Sequence, residues 1–241
     1  MYEKLRDFQL SILGLFLALG FIAGAIVVAG NISKDNITVT GAAYEVVKSD
    51  TATWTFNISV KNPNRVAGYK TLKSQIPVIQ KYLANKGITP EQIVISPSSS
   101  YETYKMAPNG VTTNEIMYYT FNQSFKVNST DVEKIKELST SIQELTEQGI
   151  DISSYDPEYQ YSGMADLKIK LLEAATKDAK ERAKAMLKAN KNSVGKIRSV
   201  KMGVFQITQP TSNSVSDYGI NDTSTIDKKV TAVANVVFAI K

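Results

Sequence analysis

The chain has 241 residues, of which 28 are Lys or Arg and 23 are Asp or Glu, and it contains neither His nor Cys. These two zeros exclude a Ser-His-Asp triad, a cysteine nucleophile, a disulfide and a zinc site of the usual kind. Any catalysis would have to use carboxylates, Lys, Tyr, Ser or Thr. A hydrophobic content of 43% with 21% charged residues is typical of a globular chain, so we expect a folded core.

An uncharged apolar run, SILGLFLALGFIAGAIVVAG, occupies residues 11–30. As a helix it would be about 30 Å long, which matches the hydrocarbon core of a bilayer. Lys4 and Arg6 precede the run and Lys34 follows it, a weak bias that favours a cytoplasmic N-terminus. We therefore expect residues 1–30 to form an anchor segment that crosses the inner (cytoplasmic) membrane once, through residues 10–30. Residues 31–241 would then form a domain outside the cytoplasm.

A cleaved signal peptide is the main alternative to an anchor. Ala23-Gly24-Ala25 and Val27-Val28-Ala29 both place small residues where signal peptidase requires them. The run is longer than the roughly 7 to 15 apolar residues of a signal peptide, which favours the uncleaved anchor. A buried core helix is a third interpretation, and it alone would leave the rest of the chain in the cytoplasm.

The first part of the remaining chain predicts two strands and a helix. Residues 37–41 and 52–60 alternate apolar and polar side chains, which is typical of strands with one buried face. Apolar residues spaced three or four apart then predict a helix over residues 66–83, ended by Gly87. Pro77 lies inside this helix and predicts a kink or a break.

The middle of the chain predicts a hairpin and a second helix. A strand is expected from residue 93 towards 104 and another over 116–127, with the loop Pro108-Asn109-Gly110 between them. The more apolar face of the second strand carries Met117, Tyr119, Phe121, Gln123 and Phe125. Ser129-Thr130-Asp131 is placed to cap a helix over 132–145, and Gly149 to end it.

The last third predicts two strands and the longest helix, followed by a closing strand. A strand over 150–161 precedes a helix over 164–190, whose Ala-rich stripe permits close packing. Residues 194–207 read as a strand, 209–227 as a mobile polar loop and 229–240 as a final strand. The expected fold class is α+β, with one domain built from a mixed or antiparallel sheet and about three helices.

The order of these elements resembles the SIMPL-domain family. The resemblance rests on an ordered series of short motifs over residues 36 to 240, each weak by itself. They are the strand ending at Gly41, Lys86-Gly87-Ile88 followed by Gln92-Ile93-Val94-Ile95, the Tyr-rich hairpin, the helix around Ala174-Ala175, Val194-Gly195-Lys196-Ile197 and the closing Val236-Val237-Phe238-Ala239-Ile240. Two places depart from the family pattern, namely Pro77 in the first helix and Asn190-Lys191-Asn192 where a Gly-containing helix end is expected.

The resemblance implies an exported protein of the cell envelope. Bacterial members of the family are mostly periplasmic or envelope-associated and are linked to stress defence and immunogenicity. Some suggest ring-like oligomers with a central channel, and the eukaryotic namesake is a signalling adaptor. The resemblance implies no catalytic residues and no cofactor, and none are assigned here.

Most of the positive charge lies in one part of the chain. Residues 165–201 contain eleven basic and four acidic residues, for a net charge of +7, so that the remainder carries −2. Lys177, Lys180, Lys184 and Lys188 are the candidate face for an anionic lipid, an envelope polymer or an acidic protein. The alternative is a solvated helix face. Nucleic acid is not expected, because the chain is predicted to be exported and has no recognition module.

Two other groups of side chains were candidates for chemistry. Asp151, Asp156, Glu158 and Asp166 could form a carboxylate cluster for glycoside cleavage or a hard cation, but no calcium-loop motif is present. Seven tyrosines could build a sugar-binding platform if they shared one sheet face, although core packing is the commoner role. They are Tyr101, Tyr104, Tyr118, Tyr119, Tyr155, Tyr159 and Tyr161.

The sequence therefore predicts a non-catalytic, membrane-anchored protein of the cell envelope that acts by protein association as a homo-oligomer, in a role such as the envelope stress response. A binding module for anionic polymer or lipid, acting through residues 165–201, is the alternative. A hydrolase that uses carboxylates is the third hypothesis. No metal and no cofactor are expected.

Overall fold

The computed structural model describes residues 13–26, 28 and 35–241. Residues 13–26 are helical, and their large apolar side chains are all more than half exposed: Leu13, Leu15, Phe16, Leu17, Leu19, Phe21, Ile22 and Ile26. Among the described residues, no helix is both long enough and apolar enough to cross a membrane. The predicted anchor over residues 10–30 lies partly outside the described residues.

The chain divides into two compact units. The first contains Met1–Ala43, Lys170–Val204 and Ala232–Lys241, and the second contains Tyr44–Ile169 and Phe205–Thr231. Three elements run through both units. They are strand β1 (Asn36–Lys48), helix α3 (Met164–Lys188) and strand β11 (Asp227–Ile240).

In the first unit, the end of β11 is the middle strand of a small sheet. It pairs with β1 on one side and antiparallel with β8 (Val194–Met202) on the other. The predicted buried face of β11 is confirmed, since Val236 and Phe238 are buried. Helix α3 contributes the buried residues Ala175, Ala179, Ala183 and Leu187, which are spaced four apart. The Ala-rich stripe therefore faces the interior of this unit, as the sequence predicted.

Gly41 of β1 is the point of closest approach to α3. A Cβ atom at this position would collide with the backbone oxygen of Ala175 and the backbone nitrogen of Ala179. Backbone atoms inside a helix cannot move aside without breaking its hydrogen bonds. The strand therefore lies against the helix at a distance that only glycine permits.

In the second unit, β2 (Thr51–Asn62) is the central strand of a six-stranded sheet. It pairs antiparallel with β5 (Thr112–Ser129) over the whole length from Ala52 opposite Ser129 to Asn62 opposite Tyr119. Its other edge carries β6 (Asp151–Ser154) and β7 (Glu158–Gln160). The second edge of β5 carries β3 (Ile93–Ile95) and β4 (Ser99–Met106).

A short part of the other sheet also belongs to the second unit. Here the beginning of β11 pairs antiparallel with β9 (Gln206–Thr208), and β9 pairs parallel with β10 (Ile220–Asn221). The single parallel pair makes the strand arrangement mixed. The predicted α+β class with a mixed or antiparallel sheet is confirmed.

The helices of the second unit begin and end at the residues that local chemistry favours. The side chain of Asn64 accepts a hydrogen bond from Ala67 N at the start of α1 (Arg65–Asn85), and Asp131 accepts from Lys134 N at the start of α2 (Val132–Ser141). A 3-10 helix, Ile142–Gln148, continues α2, and another covers Pro90–Gln92. Gly87 and Gly149 have φ values of 82° and 79° at the two C-termini. The predicted end glycines are confirmed as left-handed caps.

The core of the second unit lies between the sheet and these helices. Trp54, Phe56 and Ile58 project from β2 on one face and are fully buried. The Phe56 and Phe125 rings stack with their centroids 4.9 Å apart. Leu72, Ile79 and Leu83 of α1 belong to the same cluster, together with Ile135 and Leu138 of α2. The period-2 pattern of β2 and the helical pattern of α1 therefore bury one common core.

Proline accounts for three differences from the predicted elements. Helix α1 continues through Pro77, so the predicted break is wrong. The strand expected from residue 93 towards 104 is instead β3 and β4, separated around Pro97, and the strand expected over 150–161 is β6 and β7, separated around Pro157. Proline lacks the N–H that a ladder needs, and this ends strand pairing at both places.

The end of α3 lacks glycine, and a lysine takes the glycine position. Lys191 has a φ of 60°, while the amide of Lys191 donates to the Lys188 carbonyl and that of Asn192 to the Leu187 carbonyl. This is the hydrogen-bond pattern of a Schellman cap. The helix ends at Lys188 rather than at the predicted residue 190, and the missing glycine does not change the type of cap.

Replacement of Gly41 with Ala should destabilise the first unit. Because the added methyl group would meet helix backbone, we expect a loss of about 1–3 kcal/mol in the free energy of unfolding. Guanidinium denaturation of the full chain in detergent micelles measures it. Gly203→Ala is the matched control, since its Cβ would meet nothing closer than 3.5 Å. Equal unfolding midpoints for the two variants would contradict the close approach of β1 and α3.

Candidate interaction surfaces

The four predicted lysines of α3 form one exposed stripe. Lys177, Lys180, Lys184 and Lys188 are spaced three or four residues apart, so they lie on the same side of the helix, opposite the buried alanines. We call these four residues the basic stripe. Glu181 interrupts it, and its carboxylate lies 2.7 Å from Lys184 Nζ. The hydrogen bond from Lys184 lowers the pKa of Glu181.

The charge of the chain is divided unequally between its two units. The stretches that form the first unit contain 14 basic and 6 acidic residues, for a net charge of +8. Those of the second contain 14 basic and 17 acidic residues, for a net charge of −3. The positive field of the chain therefore arises from the unit that carries the basic stripe and β8, and from there it can attract an anionic partner.

The predicted carboxylate cluster is not assembled. Asp151 lies opposite Ser59 of β2, whereas Glu158 lies opposite Thr53, six residues further along the same strand. At about 3.3 Å per residue the two positions are roughly 20 Å apart, well beyond the spacing of a glycosidase pair. In the described part of the chain, no group of three or more acidic side chains could hold a metal ion.

Asp156 instead contributes to a polar cleft that sequence reasoning missed. The cleft has a volume of about 610 Å³ and lies in the second unit, between α2, the β6–β7 connection and residues 209–211 and 224–227. Glu133 of α2 forms part of its wall and lies 2.9 Å from Lys48, which lowers the pKa of Glu133 through a hydrogen bond. The lining comes from separate loops, so no local pattern in the sequence marks it.

A buried lysine orders the loop beside this cleft. Lys228 is 2% exposed, and its Nζ donates to the carbonyl oxygens of Asp222 and Thr225 at 2.6 and 2.8 Å. The Asp222 carboxylate accepts hydrogen bonds from Ser224 and Thr225. Burial alone would raise the pKa of Asp222, but these hydrogen bonds outweigh burial and lower it. This end of the predicted loop is thus tied to its own backbone.

The seven tyrosines do not share one face. Tyr159 is buried in the core, and Tyr119 packs against this core. Burial raises the pKa of the Tyr159 hydroxyl. Tyr101 lies opposite Thr120 and Tyr118 opposite Thr103, both on the face of β5 that points away from Phe121. The predicted alternative, a platform built from all seven rings, is therefore wrong. Packing explains the buried tyrosines, whereas Tyr104 and Tyr118 belong to another surface.

That surface is a two-stranded ribbon at the end of the sheet. The last pair between β2 and β5 is Asn62 opposite Tyr119, so among the described strands residues 112–118 of β5 pair only with β4. We call residues 103–118 the ribbon. Its large apolar side chains are exposed: Tyr104, Met106, Val111, Ile116 and Met117. The predicted apolar face of this strand is confirmed at Phe121 and Phe125 but not at Met117, which is 54% exposed.

The Asp222 cluster should make stability depend on pH. Because the pKa of the folded carboxyl lies below its ordinary value of 3.8, the unfolded chain takes up the proton first as the pH falls. The stabilisation is therefore complete above pH 4 and is lost as the pH falls through the lowered pKa. Asp222→Asn should cost about 1 kcal/mol at pH 7 and nothing at the acid end of a denaturation series. Asp217→Asn, an exposed position in the same loop, is the control, and an equal effect there would contradict this assignment.

Comparison with known protein families matches residues 37–238 to SIMPL, described as a protein of unknown function (DUF541). The match covers both units and extends from β1 to the end of β11. A search of the curated proteins finds no match. The resemblance that the sequence motifs suggested is thereby confirmed over nearly the whole folded part, and the chain belongs to the SIMPL family.

Proposed function

We propose that this chain is a non-catalytic SIMPL protein, anchored in the cytoplasmic membrane by its N-terminal segment, whose two units lie outside the cytoplasm and act by association with other copies of the chain. Its place of action is the cell envelope, where a stress-response role would be carried out by assembly rather than by chemistry. The observation that carries the proposal is the pairing of an uncharged run over residues 11–30 with an exposed apolar ribbon on the folded part.

The N-terminal segment supports anchoring through its surface. Eight large apolar side chains between residues 13 and 26 are more than half exposed, and the described part of the chain does not cover them. Exposure of that much apolar surface to water is unfavourable, at about 25 cal/mol for each Å². A bilayer would remove this surface from water. Because residues 11–30 carry no charge, no charged side chain would be buried in the bilayer.

Absence of catalysis is part of the same proposal. The chain contains no His or Cys, and the register of β2 separates Asp151 from Glu158. The lining of the cleft in the second unit includes the polar side chains of Glu133, Asp156 and Asp227. The ion pair between Glu133 and Lys48 is a structural contact rather than a catalytic one.

Topology can be tested directly because the natural chain lacks cysteine. Val215→Cys places a single thiol at a side chain that is 81% exposed, and Lys4→Cys places one before the apolar run. The test uses cells stripped of the layers outside the cytoplasmic membrane, with that membrane left intact. A membrane-impermeant maleimide should label Val215→Cys at once and Lys4→Cys only after lysis. The mass of the purified chain should include residues 1–30, whereas a signal peptide would be missing.

The reverse labelling pattern, or labelling of both thiols only after lysis, would contradict the proposed orientation. If the mature chain begins after Ala25 or Ala29, the N-terminal segment is a cleaved signal peptide and not an anchor. Resistance to carbonate extraction should accompany the intact N-terminus, and loss of the folded part into the soluble fraction would contradict anchoring.

The basic stripe supports a second candidate function, binding of anionic lipid or polymer. Four lysines on one exposed helix face, within a unit of net charge +8, give the geometry that such binding requires. The probe is polyphosphate added to the full chain in detergent. Replacement of the four lysines with Gln should weaken binding about tenfold or more, and added salt should weaken the binding of the natural chain.

The matched control removes the same charge from another helix. Lys70, Lys73 and Lys81 of α1 and Lys86 directly after it are also exposed, and their replacement with Gln changes the net charge by the same amount. An equal loss of polyphosphate binding in the control would show that only net charge matters. No effect of either set, or no dependence on salt, would reject the basic stripe as the binding surface.

A further inference from the structure

The ribbon leaves apolar side chains in water on both of its faces. Met106 is 70% exposed and Val111 61%, and Tyr101 at the base of the ribbon is 57% exposed. A two-stranded hairpin without a third strand or a packed helix is marginally stable in water. Contiguous exposed apolar side chains of this kind are typical of protein interaction sites. The ribbon therefore has the surface of an interface whose second half is another molecule.

The free edge of β4 gives this surface a backbone component. Within the described residues, β4 pairs only with β5, so its outer edge from Ser99 to Met106 presents unpaired backbone groups. The irregular positions lie on β5: Thr103 and Tyr104 are consecutive but lie opposite Tyr118 and Ile116, which leaves Met117 as the extra residue. Strand β4 itself is regular and contains neither Pro nor Gly. A regular free edge is a template for another strand.

We propose that the partner at this edge is β4 of a second copy of the chain, paired antiparallel around Thr103. The inference rests on the proposed function, since anchoring would hold all copies in one membrane with the same side outwards and so raise their local concentration. A two-fold axis at Thr103 relates the two strands, and each copy contributes the same surface, as in most soluble homodimers. The sheets of the two copies become continuous through their ribbons.

The positions of the charged side chains permit this register. With Thr103 opposite Thr103 of the second copy, Glu102 lies opposite Tyr104 and Lys105 lies opposite Tyr101. No like charges then face each other, whereas a shift that brings Glu102 opposite itself would create repulsion. The Tyr104 hydroxyl already donates to Glu102 at 2.6 Å within one copy, and Lys105 lies 3.0 Å from Glu115. Lys105 is therefore already paired with a carboxylate before the strands meet, and the Glu102 carboxylate already accepts a hydrogen bond.

Apolar contacts accompany the backbone pairing. Met106 would lie opposite Ser100 of the second copy, beside Tyr104 on the same face of the strand. Side chains directly opposite in an antiparallel pair have Cα atoms about 4.5–5.5 Å apart, close enough for contact. Tyr104 and Met106 thus gain contacts with the second copy.

Site-specific crosslinking tests the pairing. Thr103→Cys in the full chain, reconstituted in liposomes, should form a disulfide-linked dimer in high yield under mild oxidation, because directly opposed residues lie within disulfide range. Lys105→Cys should crosslink much less, since residue 105 lies opposite residue 101. Val215→Cys is more exposed than Thr103→Cys but lies outside the ribbon, so it reports random collisions. Equal yields at positions 103, 105 and 215 would overturn the proposal.

A second measurement separates failure of this surface from failure of the proposed function. Tyr104→Ser with Met106→Ser should weaken self-association of the full chain in detergent about tenfold or more in sedimentation equilibrium. Val66→Ser with Val215→Ser removes two equally exposed apolar side chains elsewhere and should leave it unchanged. If the two double variants self-associate equally strongly, the ribbon is rejected as the interface but the proposed function is retained. A natural chain that stays monomeric at high concentration rejects both.

Discussion

Strand β5 is held in two different environments along its length, and much of the second unit depends on this difference. From Tyr119 to Ser129 it is paired on both edges and buries Phe121 and Phe125 against α1 and the aromatic face of β2. Burial on one face and hydrogen bonds on both edges fix its register there. Before Tyr119 the same strand has neither a helix nor β2 beside it, and the ribbon begins.

The two units differ in net charge and in the surfaces that they expose. The first unit carries +8 with the basic stripe, while the second carries −3 with the cleft and the ribbon. A cationic unit attracts anionic surfaces, whereas the ribbon offers contacts that are mainly apolar and backbone. Electrostatic binding and self-association can therefore be altered independently, by changes to α3 or to β4.

Local chemistry made much of the fold predictable. Asp131, Gly87 and Gly149 mark helix ends because capping is decided within a few residues, and the alternation of β2 marks a buried face because its period is 2. Other features are set by distant packing. Helix α1 keeps Pro77, Lys191 adopts a glycine conformation, and the apolar pattern of β5 continues to Met117 although the layer that would cover it ends at Tyr119. The cleft is lined by four separate segments of the chain, so no local pattern predicts it. The lysine spacing predicts the basic stripe, but it does not identify what the stripe binds.

Amide hydrogen exchange along β5 of the full chain tests the central claim most directly. If the ribbon is completed by a second copy, the amides of residues 119–129 should exchange slowly at every protein concentration. Those of β4 and of residues 112–118 should exchange quickly in dilute protein and become protected as the concentration rises. Uniform slow exchange along β5 in dilute protein, or no change in the ribbon on concentration, would contradict the account.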